Sequence, residues 1–312
     1  MRPRKNAAAA AVLAVAAALA VPAAAAADER PELPVVHSSV AALAHATAHP
    51  DTPPAGANDW SCKPSPEHPN PVVLVHATTE NMTFNWYSLA PQLANEGYCV
   101  FALNYGQLPG IHLGPPGASQ VSGIGPIQNS AKELAGFVDR VRSATGSSEV
   151  DMVGHSQGGT MPRYYLKYLG GAPKVGKLIG LSPGNHGSNA WGLTKLPGVP
   201  QLLGFGLGPA MQQQVAGSPF ITALNEGGDT VPGVDYTVIQ SDKDEIATPY
   251  TSVFLNGPNA RNVLLQEECP LVGADHLSIP YDPVASEHVL KALDPAGAPD
   301  PTCRPTLPFH GA

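Results

Sequence analysis

The sequence predicts an α/β fold, a mostly parallel sheet with helices on both faces, and three observations carry that prediction. Short runs of Val, Ile and Leu that are apolar at every position recur along the chain, as strands buried on both faces require. Between them lie stretches whose apolar residues return at helical spacing. Strand and helix then alternate from residue 72 to residue 293, the pattern of a parallel sheet with helical crossovers.

The first strand is Val72-Val-Leu-Val75, followed by a helix at 87–96 and a second strand at 98–103. Ile127, Ala131, Leu134, Val138 and Val141 next mark one face of a helix. Ser130 and Glu133 have the spacing of a capping box for it, while Pro126 offers an earlier start. A third strand at 150–153 leads into another helical stretch, in which Pro162 is expected to introduce a kink. Further strands are expected at 177–181, 236–240 and 262–265, and a closing helix at 285–293. Residues 182–232 break the alternation with a Gly-, Pro- and Leu-rich stretch, and a segment that long without a strand is usually functional. It is read as short helices forming a cap or acyl-chain wall. The chain thus divides into a leader (1–27), an extension with one helix at 36–48 (28–60), a main domain (61–294) and a Pro-rich tail (295–312).

Composition excludes whole classes of function. The 312 residues carry 17 Lys and Arg against 25 Asp and Glu, a net charge of −8, so there is no basic surface for a nucleic acid. Arg2, Arg4 and Lys5, an Ala/Val/Leu run and the small residues Ala25 and Ala27 have the three parts of a secretory signal peptide, with cleavage expected after Ala27. Three of the 17 basic residues leave with it, giving 14 against 25 and a net charge of −11. The remainder contains no stretch that could span a bilayer. In an oxidising compartment Cys62, Cys99, Cys269 and Cys303 are expected to form two disulfides. Cys62 and Cys99 flank the first strand–helix–strand unit and the other two share the last third, which favours 62–99 and 269–303. A zinc site lacks the C-x-x-C pair it would need.

The sharpest motif is Gly154-His155-Ser156-Gln157-Gly158, between a strand and a helix. G-x-S-x-G in that setting holds a serine hydroxyl on a tight turn above a sheet. A serine nucleophile needs a base and a carboxylate that orients the base, in the chain order Ser, acid, His. After the strand at 236–240 the acids are Asp242, Asp244 and Glu245. Of the later histidines, His288 falls on the closing helix and His310 in the tail, which leaves His276. Backbone N–H groups must meet the developing oxyanion; one is expected from Gln157 and the other from Thr78, in the loop after the first strand. His76 and His155 are read as loop supports, and the sequon at Asn81 is given no functional weight.

These residues, with His76-Ala-Thr-Thr-Glu80, Asn185-His-Gly187 and Asp275-His276, resemble secreted bacterial lipases and esterases of the class 2 lipase family over most of 60–293. The resemblance implies the α/β-hydrolase fold and selects Asp244 as the acid. Such lipases usually have His-Gly where this chain has His76-Ala77; if that position needs φ > 0, Ala would be strained by ~1 kcal/mol or more. The expectation is a secreted monomer that hydrolyses carboxylic esters, foremost acylglycerols met at a lipid–water interface, without metal or organic cofactor. Acyl transfer and short-chain ester cleavage use the same machinery, and a catalytically silent binding protein would keep only the fold.

Overall fold

Six strands form one parallel sheet in a computed structural model that describes residues 31–49, 51–108 and 121–311. They are β1 (Val72–Val75), β2 (Val100–Leu103), β3 (Val150–His155), β4 (Val175–Leu181), β5 (Asp235–Gln240) and β6 (Ala260–Leu264). Their spatial order is β2-β1-β3-β4-β5-β6, every neighbouring pair parallel. The expected signal peptide lies outside the described residues. Among those described, no helix is long and apolar enough to cross a membrane.

The helices are α1 (Ser39–Ala48), α2 (Met82–Asn85), α3 (Leu89–Asn95), α4 (Ile127–Thr145), α5 (Gln157–Tyr168), α6 (Val199–Leu207), α7 (Pro209–Gln213), α8 (Pro219–Asn225), α9 (Leu265–Glu268) and α10 (Pro283–Leu293). Strand pleating divides the apolar residues between two cores. Val73, Val75, Phe101 and Met152 meet Leu134 and Val138 of α4 and Met161 and Tyr165 of α5. Val72, Leu74, Val100 and Val153 meet Leu89 and Leu93 of α3 and Val289 and Leu290 of α10. This is why β1 reads as an unbroken apolar run: each residue is buried, and each buried Val or Leu contributes roughly 1.5–3 kcal/mol.

The start of α4 is decided between the two local signals that the sequence offers. The capping box at Ser130 does not form, because Pro126, at φ −56°, already sets the start of α4. Ser130 is buried within the helix and the Glu133 carboxylate accepts instead from the Gly106 N–H at 3.1 Å. Pro162 lies inside α5, which runs on to Tyr168, and the residues from Gln157 to Arg163 are all buried.

The segment before β1 and the C-terminal tail are tied to this body. Asn58 pairs with the backbone of Ala102 through both its amide groups, at 2.8 and 2.9 Å, and so occupies the free edge of β2. Cys62–Cys99 anchors the same edge, and Cys269–Cys303 holds the tail. Beyond it the tail binds the 271–275 segment: the Gly273 N–H donates to Thr306 Oγ1 at 3.0 Å and the Phe309 N–H to Asp275 Oδ2 at 2.5 Å. Residues 182–232 contribute no strand to the sheet and hold α6, α7 and α8.

Candidate active site

Ser156 lies between β3 and α5 at φ 54°, ψ −121°, a backbone state that non-glycine residues rarely adopt. The neighbouring backbone leaves no room for larger flanking residues. A Cβ on Gly158 would stand 1.9 Å from the Val75 carbonyl oxygen, and one on Gly154 would stand 1.9 Å from that of Gly158. The Ser156 N–H donates to Leu181 O at 2.9 Å, tying the turn to the end of β4.

After β5 the three candidate acids part company. Asp242 is partly exposed and pairs with Lys243 at 3.0 Å. Asp244 is buried, and its Oδ1 accepts from the Ile246 and Ala247 N–H groups at 2.8 and 2.7 Å. Its Oδ2 accepts from Gln240 Nε2 at 3.3 Å and lies 2.8 Å from His276 Nδ1. Glu245 reaches the same histidine from another side, its Oε2 accepting from the His276 backbone N–H at 3.2 Å. Burial alone would raise the Asp244 carboxyl, but the charge and hydrogen bond of His276, with the two backbone donors, outweigh it and lower it to about 2. Burial likewise works to lower His276, yet Asp244, followed by Glu245 and Glu80, raises it above 6.5.

Ser156 and His276 face one cavity of about 260 Å3, lined also by Thr78, Met211, Val215 and Ile246. His76 and His155 stand behind it, buried, as supports. His76 Nδ1 meets Ala77 O at 2.7 Å, and burial lowers its basicity to about 4, which keeps it neutral. His155 Nε2 lies 2.8 Å from the His276 carbonyl oxygen and so fixes the backbone of that residue. Asn81 of the sequon is a buried cap of α2, accepting from the Phe84 N–H at 2.9 Å.

Residues 70–210 match the family described as alpha/beta hydrolase fold. The crystal structure of Aspergillus fumigatus lipase B aligns with a TM-score of 0.62 at 24% identity, over 80% of this chain and 57% of that one. The chain has the α/β-hydrolase fold. Among curated proteins, a triacylglycerol lipase of Pseudarthrobacter phenanthrenivorans is 34% identical over 99 residues, which is 30% of this chain and 27% of that relative. Lipase B of Pseudozyma antarctica is 26% identical over 219 residues, 66% of this chain and 56% of the relative. The matched regions thus span between about a quarter and just over half of these relatives' lengths.

Within this α/β-hydrolase scaffold the loop after β1 resolves the question raised by Ala77. Ala77 is not among the residues at positive φ; Thr79 is, at 66°. Ala77 therefore escapes that strain, and its buried N–H donates to Asn85 Oδ1 at 2.7 Å. Sequence reasoning also missed two amide side chains. Gln157 Nε2 donates to Gly123 O at 2.6 Å and to Thr78 Oγ1 at 2.7 Å, while Gln214 Nε2 donates to Ala210 O at 3.1 Å and to Thr78 Oγ1 at 2.9 Å. A carbonyl can only accept, so each amide is oriented with its nitrogen toward Thr78. The Thr78 hydroxyl is therefore an acceptor twice over, and its own hydrogen remains for another partner. The Gln at 157 was visible in the motif, but its long-range partners were not.

Proposed function

We propose that the protein is a secreted serine ester hydrolase, a lipase or carboxylesterase of the class 2 lipase type, working through an acyl-enzyme. The observation that carries this reading is the constellation in one cavity: a strained Ser156 and a His276 whose Nδ1 is held by the buried Asp244 at 2.8 Å. The Nδ1 proton bound to Asp244 leaves Nε2 as the basic nitrogen. Nε2 takes the Ser156 proton as Oγ attacks the ester carbonyl, and Asp244 stabilises the imidazolium that forms. Backbone N–H groups of Thr78 and Gln157 receive the oxyanion, with the Thr78 hydroxyl hydrogen available as a further donor. Collapse expels the alcohol, which takes the proton from His276. Water then attacks the acyl-enzyme with His276 as base, and the carboxylic acid leaves as Ser156 is restored.

Acylglycerols are the substrate class that the surroundings favour. Leu193, Leu196, Leu202 and Ile246 are each more than half exposed, and Ile246 also lines the cavity that holds Ser156, an apolar surface suited to a lipid interface. Two disulfides and the expected signal peptide support export. Ser156→Ala is expected to reduce p-nitrophenyl butyrate turnover by at least about 10³-fold with an unchanged circular dichroism spectrum. Retention of activity in that variant would sink the assignment.

A further inference from the structure

A second cavity of about 570 Å3 adjoins the one that holds Ser156 and His276. Its lining includes Tyr164, Pro200, Pro219 and Phe220, with the amides of Gln128 and Gln212. Val215 and Thr194 line both spaces, while the residues beside Val215 divide between them, Met211 and Gln214 on the near side and Gln212 and Gln213 on the far side. The Val215 backbone is held on both sides: the Ser188 N–H donates to Gln214 O and the Ala216 N–H donates to Ser188 O, each at 3.0 Å. Thr194 is held too, its hydroxyl donating to Asn189 O at 3.0 Å. A side chain that faces both spaces from a held backbone is one whose size can open or thicken the wall at that point without moving the chain.

We propose that Val215 is the stop of the acyl site and sets the acyl-chain length that the protein accepts. This rests on the serine ester hydrolase reading. The near cavity, about 260 Å3, presents a mostly apolar surface, to which Met211, Val215, Ile246 and Ala247 contribute, with His276 its one basic and Glu245 its one acidic side chain among the described residues. An acyl chain is therefore the part of an ester that it suits. At roughly 30 Å3 for each water-sized group, it holds about eight or nine methylene-sized groups. Short and medium acyl chains fit entirely, whereas a dodecanoyl chain exceeds the space. The far cavity, about twice as large, would take the remainder once the partition is open.

The test is the ratio of kcat/KM for p-nitrophenyl dodecanoate to that for p-nitrophenyl butyrate, measured below the solubility limit. Val215→Ala is expected to raise the ratio about tenfold, within the discrimination that one to a few methylenes in an apolar pocket support. Val215→Phe, which thickens the partition, is expected to lower it, and the opposite signs separate a steric stop from a general loss of fold. Ser156→Ala, run alongside, distinguishes the two levels of the argument. If it keeps activity, the hydrolase reading fails; if activity depends on Ser156 and the ratio is the same in all Val215 variants, or moves in one direction in both, the stop is refuted. An effect confined to a series of alkyl butyrates would overturn the acyl assignment by moving the alcohol chain into this space.

Discussion

Replacing Asp244 with Asn tests the proposed proton path without changing the shape of the site. Two backbone donors, the N–H groups of Ile246 and Ala247, hold the Asp244 Oδ1 position at 2.8 and 2.7 Å and require an oxygen there. In Asp244→Asn the amide oxygen therefore keeps that place, and the NH2 group takes the Oδ2 position, 2.8 Å from His276 Nδ1, with loss of the 3.3 Å bond from Gln240 Nε2. Two N–H groups cannot share that contact, so Nδ1 must give up its proton and become the acceptor. The remaining ring proton moves to Nε2, the nitrogen that should accept from Ser156. The wrong tautomer, together with the lost carboxylate charge, is worth about 10³–10⁴ in kcat in a serine–histidine–aspartate site. The assay is steady-state hydrolysis of p-nitrophenyl butyrate at the pH optimum, with Asp242→Asn as the comparison. Asp242 only pairs with Lys243 at the surface, and its loss is expected to alter kcat less than about twofold. The reasoning is refuted if Asp244→Asn stays within tenfold of the parent, or if Asp242→Asn is the more damaging.

The pH profile offers a second test. Only the neutral His276 ring can accept the serine proton, and its basicity is raised above 6.5 by Asp244 against the opposing effect of burial. Activity should therefore be lost as pH falls, with the acid limb of kcat/KM centred above 6.5 in the parent; a limb at or below 6.5 would count against the assignment. Removing both Cys269 and Cys303 by Ser substitution opens a loop of sequence separation 34, for which chain entropy gives about 4 kcal/mol. A drop in Tm of roughly 10 °C is the expected result, with a fall in activity because the tail grips the segment that leads into His276. An unchanged melting curve would mean that the tail is held by its other contacts.

Much of the fold was legible because burial on both faces writes itself into composition. β1 and β2 need an apolar residue at every position, and the sequence has one. The disulfide pairs were legible from the positions of the four cysteines along the chain. The choice among Asp242, Asp244 and Glu245 rested on the family resemblance alone, since all three follow β5 within four residues of one another. What separates them is a turn whose backbone amides draw one carboxylate inward, and that turn depends on Gln240 and His276 from other segments. For the start of α4 the sequence offered both Ser130 and Pro126, and the proline, whose fixed φ acts first, sets it. The positive φ at Thr79, one residue beyond the expected N–H donor Thr78 and two beyond Ala77, is tied to a distant segment: the Thr79 N–H donates to the Ser122 carbonyl at 2.9 Å.

The most direct test of the central claim is covalent labelling by a fluorophosphonate, followed by intact mass and peptide mapping. The account predicts one adduct per chain, on Ser156, formed more slowly in Asp244→Asn and absent in Ser156→Ala. A chain that takes up no label, or takes it up at another residue with Ser156 intact and unmodified, would contradict it.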